Sequence, residues 1–171
     1  VRALAVVVKR LEIRAFGDPE VIQLVEDAVL PQPGTGEVRI RVEASSLVFT
    51  DMLIRRNLYP VLKLRLPLTL GYDVVGRIDA VGPGVTRWQL GDCVADLTQV
   101  GGNATHLVRP AERLVEVPPG LAATQAEPLV LSYLTAYQSL FREAEAKPGD
   151  TVLVLGASGA VGLAALDLCR A

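Results

Sequence analysis

The spacing of apolar residues predicts strands through the first part of the chain. Arg2 to Lys9 is β-branched and apolar, and Val21 to Val29 alternates loosely. Glu37 to Ala44 alternates cleanly, with Val38, Ile40 and Val42 on one face and Arg39, Arg41 and Glu43 on the other. That period belongs to a strand with one buried face. Between these runs, PQPGTG at Pro31 to Gly36 marks a turn. Phe49 to Arg56 has the pattern of a short helix, with Thr50 or Asp51 near its start. From Gly71 the chain breaks into short pieces punctuated by glycine: GYDVVGRIDAVGPGV, LGDCVADL, NATHLVRP and RLVEVPPG. Such pieces, roughly ten residues apart, predict a small barrel-like β domain.

The pattern then changes. Thr124 to Ala146 is rich in Ala, Leu, Gln and Glu and ends at Lys147-Pro148-Gly149-Asp150, so a helix and then a turn are expected. Thr151 to Leu155 (TVLVL) is continuously apolar, the mark of a strand buried on both faces of a parallel sheet. A glycine loop follows, then the helix formers LAALDLCRA. We read a β domain over 1–123 and, over 124–171, a connecting helix with the start of a nucleotide-binding α/β domain. One strand, loop and helix cannot make a doubly wound sheet, which needs several such units. The expectation is a chain that stops early in that domain, the alternative being strands supplied from elsewhere.

Composition narrows the class. The 171 residues carry 17 Lys and Arg against 19 Asp and Glu, a net charge of −2, and half are hydrophobic. A sizeable core can form, and nothing advertises nucleic acid or an anionic membrane. No apolar run has the length of a transmembrane helix, and VRALAVVVKRLE returns to charge too early for a signal peptide. A soluble cytoplasmic protein is expected.

The most informative chemistry is Gly156-Ala157-Ser158-Gly159-Ala160-Val161-Gly162, set between an apolar run and a helix. Glycines let the chain turn sharply and bring backbone N–H groups to a pyrophosphate at a helix N-terminus. The spacing is G-x-x-G-x-x-G, not the strict dinucleotide fingerprint. The residue that selects between a ribose 2′-OH and a 2′-phosphate lies about 20 positions further on, past Ala171. Two cysteines and one histidine cannot build a disulfide framework or a structural zinc site. Cys93 reads as a packing thiol, Cys169 as a packing or redox thiol, and His106 as a surface or core imidazole or a general acid. Asp51 reads as a helix cap or first-turn acid. Asp73 reads as a cleft residue or as a partner for Arg55 or backbone N–H groups. Tyr59 and Tyr72 are proton donors or packing aromatics. Arg55-Arg56 and Lys63 to Arg65 read as solvated loops, or as a basic stretch that steers an anion.

Taken together, these residues resemble the medium-chain dehydrogenase/reductases, in their zinc-independent quinone oxidoreductase (zeta-crystallin-like) branch, over essentially the whole chain. Gly71-Tyr72-Asp73, Gly76 and Gly82 follow the family's GHE-x2-G-x5-G signature, with Tyr72 and Asp73 where zinc enzymes carry His and Glu. Trp88 to Val94 is similar to its G-D-x-V turn, and Leu134-Thr135-Ala136-Tyr137 to its L-T-A-Y helix. Gly149 to Arg170 is similar to its quinone-oxidoreductase signature, with Ala160 and Asp167 in place of Gly and Gln. Ala44 to Asp51 aligns with A-x-x-V-N-F/P-x-D, except that Val48 replaces the Asn, and Leu53 stands where many members have Tyr. Both replacements remove hydrogen-bonding side chains near the nicotinamide.

The resemblance implies a mixed fold: a GroES-like β-barrel domain, then the first strand, glycine loop and helix of a Rossmann domain. It implies NADPH as cofactor, with NADH left open, and no metal. It places Gly156, Ser158, Gly159, Ala160, Val161 and Gly162 at the cofactor, Thr135 near the nicotinamide, and Val48, Asp51, Leu53 and Asp73 at the substrate cleft. The expected function is NADPH-dependent hydride transfer to a quinone or a conjugated enone or aldehyde, in a homodimer, with no nucleic-acid or membrane partner. Two alternatives stand beside it. One is enoyl-thioester reduction on the same scaffold. The other is a non-catalytic GroES-like module that associates through the apolar 151–155 strand.

Overall fold

The computed structural model describes residues 7–27, 29–61 and 63–171. The chain divides into two compact units between Glu127 and Pro128.

In the first unit, β1 (Val8–Ile13) pairs antiparallel with β2 (Ile22–Asp27), from Val8 opposite Asp27 to Ile13 opposite Ile22. Residues 2–6 of the expected opening strand, and residue 28 of the second, lie outside the described residues. The observed β1 runs on to Ile13, through the charged Lys9, Arg10 and Glu12. The partner strand answers the two bases, with Lys9 Nζ 2.8 Å from Glu26 Oε1 and Arg10 reaching Asp27, while Glu12 accepts from Arg10 and Arg14 along its own chain, each at 3.0 Å. Opposite charges facing across a ladder favour its register. β3 spans Glu37–Ala44, and β4 (Leu68–Thr69) lines the other edge of β1.

The larger sheet orders β7 (His106–Pro110), β3, β5 (Val74–Val81), β6 (Cys93–Asp96) and β8 (Val115–Glu116), with every pairing antiparallel. Val38, Ile40, Val74, Ile78, Trp88 and Val94 pack together as its core. The alternation read along β3 holds on the apolar side. Arg39 departs from it: it is buried, with Nε 2.8 Å from Asp79 Oδ1 and Nη1 3.1 Å from Pro31 O. An interior charge is tolerated when its N–H groups find acceptors. The expected barrel is not closed. The described strands form two sheets, linked by an isolated bridge between Arg10 and Ala104. Strands of two residues, β4 and β8, cannot carry the ladder around.

α1 (Phe49–Arg55) forms where expected. Its last residue corrects the reading of a solvated basic loop. Arg55 is buried and donates to Gly17 O, while Gly17 N returns a 3.0 Å bond to Arg55 O. Arg56 is the exposed one, 3.1 Å from Asp18.

His106, the single histidine, is buried in β7 with Nε2 3.5 Å from Asp79 Oδ2. Burial pulls its pKa below the ordinary value; Asp79 opposes that shift, and Arg39 and Arg41 add to it. With the folded value depressed, neutral His106 stabilises the fold above about pH 6.5, and this is lost as pH falls through the lowered value. Its Cε1–H NMR signal is expected to titrate below pH 6.5 in the native protein and to recover the ordinary midpoint in urea. A native midpoint above that value would mean that Asp79 governs the site instead.

Helical structure covers α2 (Ala123–Pro128), a wide π-type turn at Leu129–Tyr133, α3 (Leu134–Tyr137) and a second wide turn at Gln138–Glu143. In the second unit, Ala136 and Leu140 pack on Ala164 and Ala165 of α4 (Ala160–Arg170), and Tyr133 Oη donates to Asp167 Oδ2 at 2.6 Å. Thr151 to Leu155 is not the buried strand expected. Among the described residues no strand pairs with it, so its backbone has no ladder to join, and Leu153 and Leu155 stand 84% and 85% exposed. Cys93 is partly buried at the start of β6, whereas Cys169 is exposed on α4 and does not pack as expected.

Candidate functional site

In the first unit the site positions gather around the turn Gly71-Tyr72-Asp73. Gly71 has φ +106°, and a Cβ there would lie 2.1 Å from Asn103 N. The turn therefore rests directly on the 98–103 segment. Four bonds hold it there: Gly102 N to Gly71 O (3.0 Å), Asn103 N to Leu70 O (2.8 Å), Gln99 N to Tyr72 O (2.9 Å) and Thr98 Oγ1 to Gly71 O (2.9 Å). The other two signature glycines also meet backbone. A Cβ at Gly76 would lie 2.3 Å from Arg41 O, and one at Gly82 1.9 Å from Gly34 O.

Asp51 ties α1 to this turn. It is 2% exposed; Oδ2 accepts from Val48 N and Oδ1 from Gly71 N, each at 2.9 Å. Burial pushes its carboxyl up against those two donors, and Asp73 adds to the rise. Asp51 is thus the first-turn acid its spacing suggests, with both oxygens engaged inside the fold.

Asp73 is 1% exposed, and its Oδ1 accepts from Ser46 N (3.2 Å) and Ser46 Oγ (2.8 Å). Its carbonyl accepts from Ser45 Oγ at 2.8 Å. Of the partners expected for it, backbone N–H is found and Arg55 is not. Glu127, on α2, responds to the same carboxyl. Burial, a hydrogen bond with Asp73 and the Asp73 charge push Glu127 up to about 7, while Ser46 pulls the other way. Nothing in the sequence marked Glu127 except a lone acid between Ala126 and Pro128 in a helical run.

Tyr72 and Tyr59 pair through their hydroxyls, 2.8 Å apart, with rings edge-on at 6.1 Å. Burial first, then the bond to Tyr59, pushes Tyr72 up to about 12. Val48 caps α1 and Leu53 sits on it, both half-buried and without a hydrogen-bonding side chain. The polar side chains around this turn include the tyrosine pair, the carboxyls and the hydroxyls of Ser45, Ser46 and Thr98.

In the second unit, the glycine loop turns into α4. Gly156 has φ +70° and its carbonyl accepts from Gly159 N at 3.0 Å. Gly162 is buried, and a Cβ there would lie 2.4 Å from Gly156 O, so α4 is seated on the loop. Ser158, Gly159, Ala160 and Val161 are exposed around the helix start, which holds no acidic residue in its first turn. First-turn N–H groups lack intrahelical acceptors and attract anions. These residues fit a dinucleotide phosphate. Thr135 is exposed on α3, its carbonyl accepting from Ser139 Oγ at 2.9 Å. Among the described residues, no three His, Cys, Asp or Glu side chains converge as a metal site would require.

Residues 34–119 match the family of alcohol dehydrogenase GroES-like domains. The quinone oxidoreductase of Lama guanicoe is 39% identical over 164 residues, covering 95% of this chain and 49% of that protein. The phthioceranic/hydroxyphthioceranic acid synthase of Mycobacterium tuberculosis is 39% identical over 162 residues, 95% of this chain and 8% of that one. The crystal structure of Escherichia coli quinone oxidoreductase complexed with NADPH is similar at a TM-score of 0.87 and 31% identity, covering 95% of this chain and 49% of its own. The chain spans about half the length of the quinone oxidoreductases that it matches.

Proposed function

We propose a function from the premise that this chain belongs to the medium-chain dehydrogenase/reductases that carry the alcohol dehydrogenase GroES-like domain, an oxidoreductase family. It binds NADPH and serves the reduction of quinones or conjugated enones and aldehydes, as a cytoplasmic homodimer. Units 1–127 and 128–171 are then the GroES-like domain and the start of the Rossmann domain. The observation that carries the reading is the Gly156–Gly162 loop seated under α4, with Ser158, Gly159, Ala160 and Val161 exposed at the helix start.

When bound, the nicotinamide supplies a hydride to the electrophilic carbon. The chain's own part is binding and positioning. Ser158 Oγ and the first-turn N–H groups would hold the phosphates, and Thr135 would serve the nicotinamide side of the cofactor. Val48 and Leu53 give the substrate an apolar wall. The reduced oxygen takes its proton from solvent or from the Tyr59–Tyr72 pair, where Tyr72, pushed up to about 12, keeps its proton through the neutral range. Among the described residues no helix is long and apolar enough to cross a membrane.

The test is a titration of the chain with NADPH and NADH, followed by Trp88 and nicotinamide fluorescence, then addition of a benzoquinone or a crotonyl thioester. Saturable binding with NADPH preferred is expected, and NADPH consumption with the quinone. Consumption with the thioester alone moves the reading to enoyl-thioester reduction. Absence of nucleotide binding, with tight self-association, overturns it in favour of a non-catalytic module.

A further inference from the structure

Tyr59 and Tyr72 form a pair whose two hydroxyls are not equivalent. Tyr72 belongs to the turn before β5 and is 7% exposed, whereas Tyr59 is half-buried on the segment that leaves α1. That segment folds back on the helix, with Leu58 N 2.8 Å from Leu53 O. The two phenol oxygens lie 2.8 Å apart, and among the described residues this is the one hydrogen bond that either hydroxyl makes. Asp51 acts on Tyr72 through its charge alone, its own oxygens being engaged by Val48 N and Gly71 N.

A phenol has one proton to donate, so the bond runs one way or the other. If Tyr59 donates, the Tyr72 proton points into the buried interior with no acceptor among the described residues, and an unpaired buried donor is costly. If Tyr72 donates, only a spare lone pair is left inside, and the Tyr59 proton faces the open side. We propose that Tyr72 is a positioning residue: it donates to Tyr59 Oη and so leaves the Tyr59 proton as the one this pair can hand to a reduced oxygen. This rests on the reduction proposed above and assigns its proton to one atom of the pair.

The step balances. The Tyr59 Oη–H bond breaks, an O–H bond forms on the reduced substrate oxygen, and the negative charge passes to Tyr59 Oη. That oxygen already accepts from Tyr72, and a hydrogen bond to an anion is stronger than one between neutral groups. Tyr72, pushed up to about 12, keeps its own proton meanwhile. Tyr59 then recovers a proton from solvent.

The direction of the bond is read without cofactor. The full chain, with tyrosine labelled with carbon-13 at Cζ, is studied by NMR in equal parts of light and heavy water. A hydroxyl that holds its proton gives a pair of Cζ lines, and one that exchanges freely gives a single averaged line. Tyr72 is expected to give the pair and Tyr59 the single line, with Tyr137, 45% exposed, as the freely exchanging reference. Tyr59→Phe and Tyr72→Phe assign the lines. A pair from Tyr59, or a single line from Tyr72, overturns the proposal. With NADPH and a benzoquinone, Tyr59→Phe is expected to lower kcat about a hundredfold and Tyr72→Phe about tenfold, both with KM unchanged. Wild-type kcat in either variant, or a rise in KM with kcat kept, also overturns it. Absence of turnover by the wild type counts against the reduction itself, while the NMR still decides the direction of the pair.

Discussion

Gly71→Ala is expected to destabilise the first unit by about 4 kcal/mol, enough to unfold a marginal domain. The backbone there sits at φ +106°, a region that costs a non-glycine residue roughly 1–2 kcal/mol. The added Cβ then lies 2.1 Å from Asn103 N, which is main chain and cannot swing aside as a side chain would. Moving the turn strains the four bonds to the 98–103 segment and pulls Gly71 N from Asp51 Oδ1, now 2.9 Å away. Overpacking of this kind adds about 1–3 kcal/mol, and a buried carboxylate left short of a donor adds more. Urea unfolding followed by Trp88, buried in that unit's core, measures the loss. A change below about 1 kcal/mol would mean that the 98–103 segment yields freely.

Gly162→Ala is expected to weaken NADPH binding at least tenfold, on the order of 1.4 kcal/mol or more. The new Cβ meets Gly156 O at 2.4 Å and Ala157 Cα at 2.7 Å. α4 must then lift from the loop, and the N–H groups at Ser158 to Val161 lose the spacing that cradles a phosphate. Leu163→Ala, at an exposed position of the same helix, is the control and is expected to bind as the wild type. Equal binding by all three proteins would remove the loop from the cofactor site.

What the sequence disclosed was mostly local. The β3 alternation, the α1 start and the Asp51 cap depend on residues within one or two turns of each other, and each is present. The signature glycines were legible as a pattern, and the contacts at Gly71, Gly76 and Gly82 supply its steric cause. Long-range pairing was not legible. Arg39 and Arg55 look solvent-facing until Asp79, Pro31 and Gly17 are brought to them. Glu127 acquires meaning only through its response to Asp73, and no spacing rule connects an acid on α2 to one at the start of β5. The 151–155 segment shows the converse. Hydropathy reports what a segment would bury beside neighbours, and it cannot report whether those neighbours are present.

The two units have separate cores, one built around Trp88 and the other around Ala136, Leu140, Ala164 and Ala165. Their melting need not be one event. The chain's single tryptophan belongs to the first core, whereas α3 and α4 belong to the second. Fluorescence therefore follows one equilibrium, and the α3 and α4 part of the helical far-UV signal follows another. Non-coincident curves from these two probes would rule out a single unfolding free energy for the chain, which then needs one for each unit.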